Sequence, residues 1–295
     1  MNKFTVILVL MFLFVINLIG QSYLGKQNSL QLEIEDAVEL CGGSEDINKM
    51  ADFFFALDYN DVLQKAKAKG MNPEIVEGTI YIDGKLFRMD MESMGQKMSA
   101  ILNLETREIY SIMHEQKQYF VMNLDEMKAM QAQIKNNMAA QMENMKGMMD
   151  NLPPEAKAMM EKMAGKKSTV PPKVTQTGKT RTLNGFSCEE ILVSKEFSRD
   201  QLWITSDYSD LREAFYEMTN AMPMENEETK AQWEIIKEGW PVQTTTVSGK
   251  EGIMAGSVFI NEMSSLKKAT HKAGTFDPPS GYTKKTMQDM MGGMQ

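Results

Sequence analysis

The sequence predicts an α+β fold, an antiparallel β-sheet interrupted by an inserted helical hairpin. Three observations carry this: alternating apolar runs around short turns at 75–123, a methionine stripe at helical spacing from 127 to 163, and renewed alternation from 174 onward.

The chain opens with Lys3 ahead of an apolar run, Phe4 to Ile19, broken only by Thr5 and Asn17. That is the layout of a secretory signal peptide over residues 1–20. As a membrane anchor the run falls on the short side of the ~20 residues that cross a bilayer. Cleavage is expected after Gly20 or after Ser22. Leu18-Ile19-Gly20 is the approach to a bacterial lipidation site, but Gln21 stands where the acylated cysteine would be. The expected product is therefore periplasmic or secreted, with no lipid anchor and no integral membrane segment. Cleavage removes Lys3 and takes the formal charge from −8 to −9. An acidic chain without a basic block excludes nucleic acid as a partner. The two cysteines, Cys41 and Cys188, either pair or remain buried thiols, and Cys-Gly-Gly at 41–43 has no redox or zinc spacing.

Residues 21–50 form an N-terminal segment, partly helical, with a short helix expected at 28–40. Phe53 to Tyr59 reads as a strand, and 61–70 as helical turns ending at Gly70. The hairpin signal is strong in "IVEGTIYIDGKLFRMDME", where Asp83-Gly84 separates two alternating runs. With Ile82 facing Lys85, Ile80 meets Phe87, Gly78 meets Met89 and Val76 meets Met91, which leaves one face apolar and one polar. "KMSAILNL", "REIYSIM" and "KQYFVM" extend this meander across turns at 105–106 and 115–116.

The period changes after residue 123. Met127, Met130, Ile134, Met138, Met142, Met145 and Met149 step by three or four, one stripe of a helix about 40 Å long at 1.5 Å per residue. A second helix restarts at Asn151-Leu-Pro-Pro-Glu, carries Met159, Met160 and Met163, and ends at Gly165. Residues 124–165 are thus an inserted hairpin. Beyond the 165–173 linker, "VTQTGKTRTL", "FSCEEILVS" after Asn184-Gly185, "DQLWITSD", and a strand pair across Ser248-Gly249 rebuild the sheet. Helices are expected at 208–218 and 227–238. Segments 51–123 and 170–284 then make a single β-rich domain, and 285–295 is a loose methionine-glycine tail.

Nothing assembles a reaction centre, so no enzyme and no cofactor are expected. The two histidines, His114 and His271, sit in no nucleophile motif, and His114 reads as a surface turn residue at a strand end. Methionine is the unusual element, with 29 in the chain. Thioethers suit copper(I), and Met-x-x-Met recurs at 127/130, 142/145, 145/148, 160/163 and 291/294. The flexible tail, with Met287, Met290, Met291 and Met294, is the better metal candidate. The hairpin spacing is also what a helical stripe gives without a metal. At ~1.5–3 kcal/mol per buried side chain, its seven positions represent on the order of 10 kcal/mol. Such a stripe must cover something: fixed core, an adaptable lid, or another envelope protein. Methionine is unbranched and conforms to varied apolar partners.

"GTIYIDGKLFRMDM", "LNLETREIYSIMHEQKQYFVM", "TGKTRTLNGFSCEEILVS", "LWITSDYSDL" and "FDPPSGYTKK", in this order, resemble a family of exported bacterial envelope proteins, domain of unknown function 4412. That family is similar to the periplasmic lipoprotein carriers of LolA-like fold. The resemblance spans 75–284. Asn184, Gly185, Cys188, Trp203, Pro279, Gly281 and Tyr282 match its turn, core and closing positions, while Glu190 stands where an aromatic is usual. It implies a curved, half-open antiparallel sheet, a half barrel around an apolar hollow, with the methionine-rich hairpin and short helices across its mouth. The expected occupant is a lipid or another hydrophobic ligand. Ile80, Phe87, Met89 and Leu102 would line the hollow from the sheet, and Met130, Ile134, Met138 and Met142 from the lid.

Overall fold

The computed structural model describes residues 22–130, 132–133, 171–208, 239–249 and 256–285. They build one open, mostly antiparallel sheet of 12 strands with helices laid against it. In chain order these are β1 (Ser22–Glu33), α1 (Ile34–Leu40), α2 (Ile47–Phe55), α3 (Tyr59–Ala68), β2 (Glu74–Asp83), β3 (Leu86–Ser93), β4 (Gln96–Asn103), β5 (Glu108–Met113) and β6 (Gln118–Asn123). They continue as β7 (Lys173–Leu183), β8 (Phe186–Ser194), β9 (Ser198–Thr205), β10 (Trp240–Ser248), β11 (Ser257–Lys268) and β12 (Thr283–Lys285). The spatial order is β12-β6-β5-β4-β3-β2-β1-β11-β10-β9-β8-β7, with only β12 on β6 parallel. The signal segment, the hairpin beyond residue 133, the helices expected at 208–238 beyond Tyr208, and the tail beyond Lys285 lie outside the described residues. Among the described residues no helix is long and apolar enough to cross a membrane.

Two N-terminal expectations are corrected. Residues 28–33 are strand, and only Ile34–Leu40 is helix. The second half of β1 buries Ser29 on one face and Leu30 and Leu32 on the other, so the alternation that marks a half-wet strand is missing. Residues 22–33 thereby join the β-rich domain as the strand that links β2 to β11. Phe53 to Tyr59 is not a strand. Asp46 caps α2 by accepting from the Asn48 and Lys49 amides at 2.8 and 3.3 Å, and Met50, Ala51 and Phe54 then fall on one buried stripe. The three aromatics signalled sheet, and the cap overrode them. The helix expected at 61–70 is α3, opened by an Asp58/Asp61 capping box.

The β2–β3 hairpin forms with its register shifted from the sequence reading. Ile82 pairs with Phe87, Ile80 with Met89 and Gly78 with Met91, closed by Asp83 and Leu86. The loop is Gly84-Lys85, because the positive φ of +55° falls on Gly84 at the first central position, as a II′ turn requires. Each residue gains a partner two places along, so every side chain keeps its expected face. Asn184 and Gly185, both at positive φ, make the expected two-residue turn between β7 and β8.

Two buried clusters hold the sheet. In one, α1–α3 pack Met50, Phe54 and Val62 on Leu30, Leu32, Val247, Val258 and Ile260. The other joins Ile80, Ile82, Phe87, Met89, Leu102 and Ile109 to Tyr23, Trp203, Trp240, Met263 and Leu266. The sheet bends at its β7 end. The Asn184 side chain, in the β7–β8 turn, donates to the Met263 carbonyl of β11 at 3.1 Å. Strands β8 and β11 are three places apart in the sheet order, about 14 Å on a flat sheet. Tyr208 closes the same end, edge-on to Tyr23 and donating to the Leu266 carbonyl at 3.2 Å.

Candidate functional site

Strand pairing puts four sequence-predicted residues on one face. Ile80 faces Met89, and Phe87 faces Leu102 on the next strand, all within the second cluster and at most 2% exposed. Met91, Ala100 and Ile109 extend the face, and Met98 packs on it half-buried. Methionine supplies its pliable part. An added Cβ on Gly78 would meet the Met89 Cε at 3.1 Å, and one on Gly25 the Met263 Sδ at 3.2 Å, so thioethers lie across two glycine gaps. Of the lid residues, Met130 closes the described helical run 124–130 and is 42% exposed. That run starts where Asn123 accepts from the Asp125 and Glu126 amides, and Arg107 grips Asp125 through two bonds of 3.0 and 2.8 Å. Ile134, Met138 and Met142, and the tail methionines Met287, Met290, Met291 and Met294, lie outside the described residues.

Polar groups share this face, and the sequence did not single them out. Gln27 pairs with Gly78 and Met263, and Ser29 with Val76 and Asn261. Gln27 and Asn261 are 2% and 3% exposed. Both side-chain atoms of Gln27 and the Asn261 Nδ2 find no hydrogen-bond partner among the described residues.

The opposite face of β1–β4 forms a cleft of about 450 Å³, lined by Lys26, Glu77, Arg88, Asp90, Lys97 and His114 among others. Behind it runs a hydrogen-bonded chain. The Ser99 hydroxyl donates to Asp90 at 2.6 Å, and His114 Nε2 lies 2.7 Å from Ser99 Oγ. With its one proton committed to Asp90, Ser99 accepts from His114 Nε2–H, and His114 Nδ1 lies 3.0 Å from the Tyr282 hydroxyl. His114 stands in the turn directly after β5, as the sequence reading placed it, and is half-buried there. It ties β4 to Tyr282, one of the closing positions of the resemblance. Arg88 donating to the Thr275 carbonyl and His271 beside the Ile82 carbonyl, both at 2.8 Å, hold the same C-terminal segment down. No spacing in the sequence links residues this far apart. Ser99 is 1% exposed and engaged on both sides, which makes it a link and not a reachable nucleophile.

A further polar set fastens β7–β11. The Arg181 guanidinium stacks 4.2 Å over Trp203 and donates to Gln243 Oε1 at 2.5 Å. Glu190, in place of an aromatic, is buried and accepts from Thr177 and Gln201 at 2.7 and 2.5 Å, with Lys179 at 3.2 Å. Cys188 and Cys41 stand as free thiols, the first buried and the second half-buried, and burial pushes the Cys188 thiol up to about 11. Burial also raises the Glu262 carboxyl above its ordinary range. A raised acid stabilises the fold fully below its unfolded pKa, and that contribution is lost as pH rises through the folded pKa. Glu262→Gln is therefore expected to raise the urea midpoint at pH 7 and leave it unchanged at pH 4. Equal midpoints at both pH values would show that Glu262 carries no burial penalty.

Residues 142–282 match the model of a family described as a domain of unknown function (DUF4412). The resemblance read at 75–141 lies outside that match. No curated protein matches the chain. Among solved structures, an uncharacterized conserved protein from Thermus thermophilus aligns over 91% of this chain and 91% of its own, at 7% identity and a TM-score of 0.40. PNGF-II aligns in its C2 and P21 crystal forms at TM-scores of 0.35 and 0.32 and 9% and 11% identity. Those matches cover 92% of this chain and 32% and 33% of PNGF-II. TM-scores of this size carry no argument about fold or function.

Proposed function

We propose that this chain is an exported envelope protein that holds a hydrophobic ligand, a lipid or acyl chain, without transforming it. In this reading the sheet is a LolA-like half barrel, and the methionine-rich segment 124–165 lies over it as a lid. The observation that carries the proposal is the shared face of Ile80, Phe87, Met89 and Leu102, extended by methionines at 91, 98 and 263. Leucine and isoleucine would fill a permanent core with better-defined rotamers, whereas thioether chains re-pack around occupants of different shape. The bend at β7–β11 supports a curved scaffold. The copper(I) alternative rests on Met287, Met290, Met291 and Met294, and no observation favours it.

Full-length protein purified from a bacterial host should release lipid on organic extraction and show a ligand-shifted mass under native mass spectrometry. After delipidation it should take up the apolar fluorophore N-phenyl-1-naphthylamine. A chain that carries no lipid and takes up no fluorophore ends the proposal.

A further inference from the structure

We infer that the ligand of the methionine-lined face carries an uncharged, hydrogen-bonding headgroup, such as a glycerol ester, held by Gln27 and Asn261. The inference rests on the hydrophobic-ligand reading and adds the chemistry of the polar end. Buried amide groups in folded proteins are almost always hydrogen-bonded, because leaving them unpaired forfeits their bonds to water. Here Gln27 Nε2, Gln27 Oε1, Asn261 Nδ2 and the neighbouring Thr244 Oγ1 are buried with no partner among the described residues. They occupy one patch. Asn261 pairs with Ser29 on β1 and with Thr244 on β10, while Gln27 sits two residues before Ser29. Directly paired residues of antiparallel strands point to the same side, so this patch shares the face of Ile80 and Val76.

A register shift falls between Lys26 and Gln27, where Ser264 is the extra residue and donates to the Lys26 carbonyl at 3.2 Å. Such bulges re-aim a side chain and are over-represented beside functional sites. The set offers two donors in Gln27 Nε2 and Asn261 Nδ2 and an acceptor in Gln27 Oε1. A carbonyl would accept from the donors, and a hydroxyl or amide N–H would donate to the acceptor. The strand partners of Gln27, Ser29 and Asn261 on this face are Gly78, Met263, Val76 and Thr244, none of them charged. A carboxylate or phosphate there would be buried without a counter-charge, which is far costlier than burying a neutral group.

The test displaces N-phenyl-1-naphthylamine from delipidated full-length protein with 1-palmitoylglycerol or with methyl palmitate, an equally uncharged ester that lacks the hydroxyls. The glycerol ester should displace the probe about tenfold more effectively than methyl palmitate, as the loss of one well-made buried hydrogen bond implies. In the Gln27→Leu/Asn261→Leu double variant the preference should fall to about onefold. Its urea midpoint should stand near that of the wild type, since removing the unpaired amide groups offsets the loss of the bond that Ser29 donates to Asn261 Oδ1 at 3.4 Å. Probe binding with no preference in the wild type, or a preference that survives in the double variant, overturns the headgroup inference and leaves the apolar site standing. Absence of probe binding in the wild type removes both. If the double variant fails to fold, the wild-type preference still decides, and Gln27→Leu alone repeats the comparison.

Discussion

Gly239→Ala is expected to lower the unfolding free energy by about 3 kcal/mol, a large part of the ~5–15 kcal/mol that holds a domain together. Gly239 leads into β10. A Cβ there would lie 2.5 Å from the Thr205 carbonyl oxygen, 2.5 Å from Ile204 Cγ2 and 3.0 Å from the Thr205 carbonyl carbon. Two of those atoms are backbone and cannot swing away. They belong to β9, which pairs with β10 through Trp240–Thr205 and Pro241–Ile204. Relief must therefore come from parting the strands where Trp240, 2% exposed, fills the core. Urea unfolding measures the loss. Gly249→Ala, at the far end of β10, is the control, because its added carbon meets nothing closer than 3.6 Å. It should shift stability by less than ~0.5 kcal/mol. Equal effects at both glycines would mean that the β9–β10 contact is not the constraint described.

What the sequence revealed depended on whether the determining interaction was local. The β2–β3 hairpin could be read because Gly84 and the flanking alternation lie within a short span, and even the misplaced register left every side chain on its face. The strand β1 was missed because its second half is buried on both sides. Its partners, β2 and β11, lie far along the chain, so nothing local distinguishes Leu30 and Leu32 from a helical stripe. The α2 helix was missed for a different reason: its start is set by the Asp46 side chain accepting from the Asn48 and Lys49 amides, while Phe53 to Tyr59 carries strand-forming aromatics. At the candidate site the apolar half, Ile80, Phe87, Met89 and Leu102, followed from alternation. The polar half did not. Gln27 and Asn261 carry no motif in the sequence and reach one face, diagonally across β1 and β11, only through strand pairing, and His114 meets Tyr282 beside the parallel docking of β12 on β6.

Phe87→Ala should cost the delipidated protein about 3–5 kcal/mol, the usual loss for a buried phenylalanine. That cost alone would not distinguish a sealed core from a ligand-lined hollow, since Phe87 is 1% exposed. The distinction lies in how the loss responds to ligand. A ligand that binds only the folded state raises its stability by RT ln(1 + [L]/Kd), about 2.7 kcal/mol at a hundredfold excess over Kd. If Phe87 forms a wall of the hollow, its removal strips contact from the acyl chain. A tenfold weaker Kd would then cut that gain to about 1.4 kcal/mol. Phe54→Ala provides the comparison. Phe54 is equally buried, but in the cluster beneath α1–α3, away from the methionine-lined face. Its removal should cost about as much without ligand and leave the full ligand-induced gain intact, as sites without shared partners combine additively. Urea titrations of the three proteins with and without 1-palmitoylglycerol give both numbers. Identical ligand-induced gains in the wild type and both variants would place Phe87 in permanent core and move the ligand off this face.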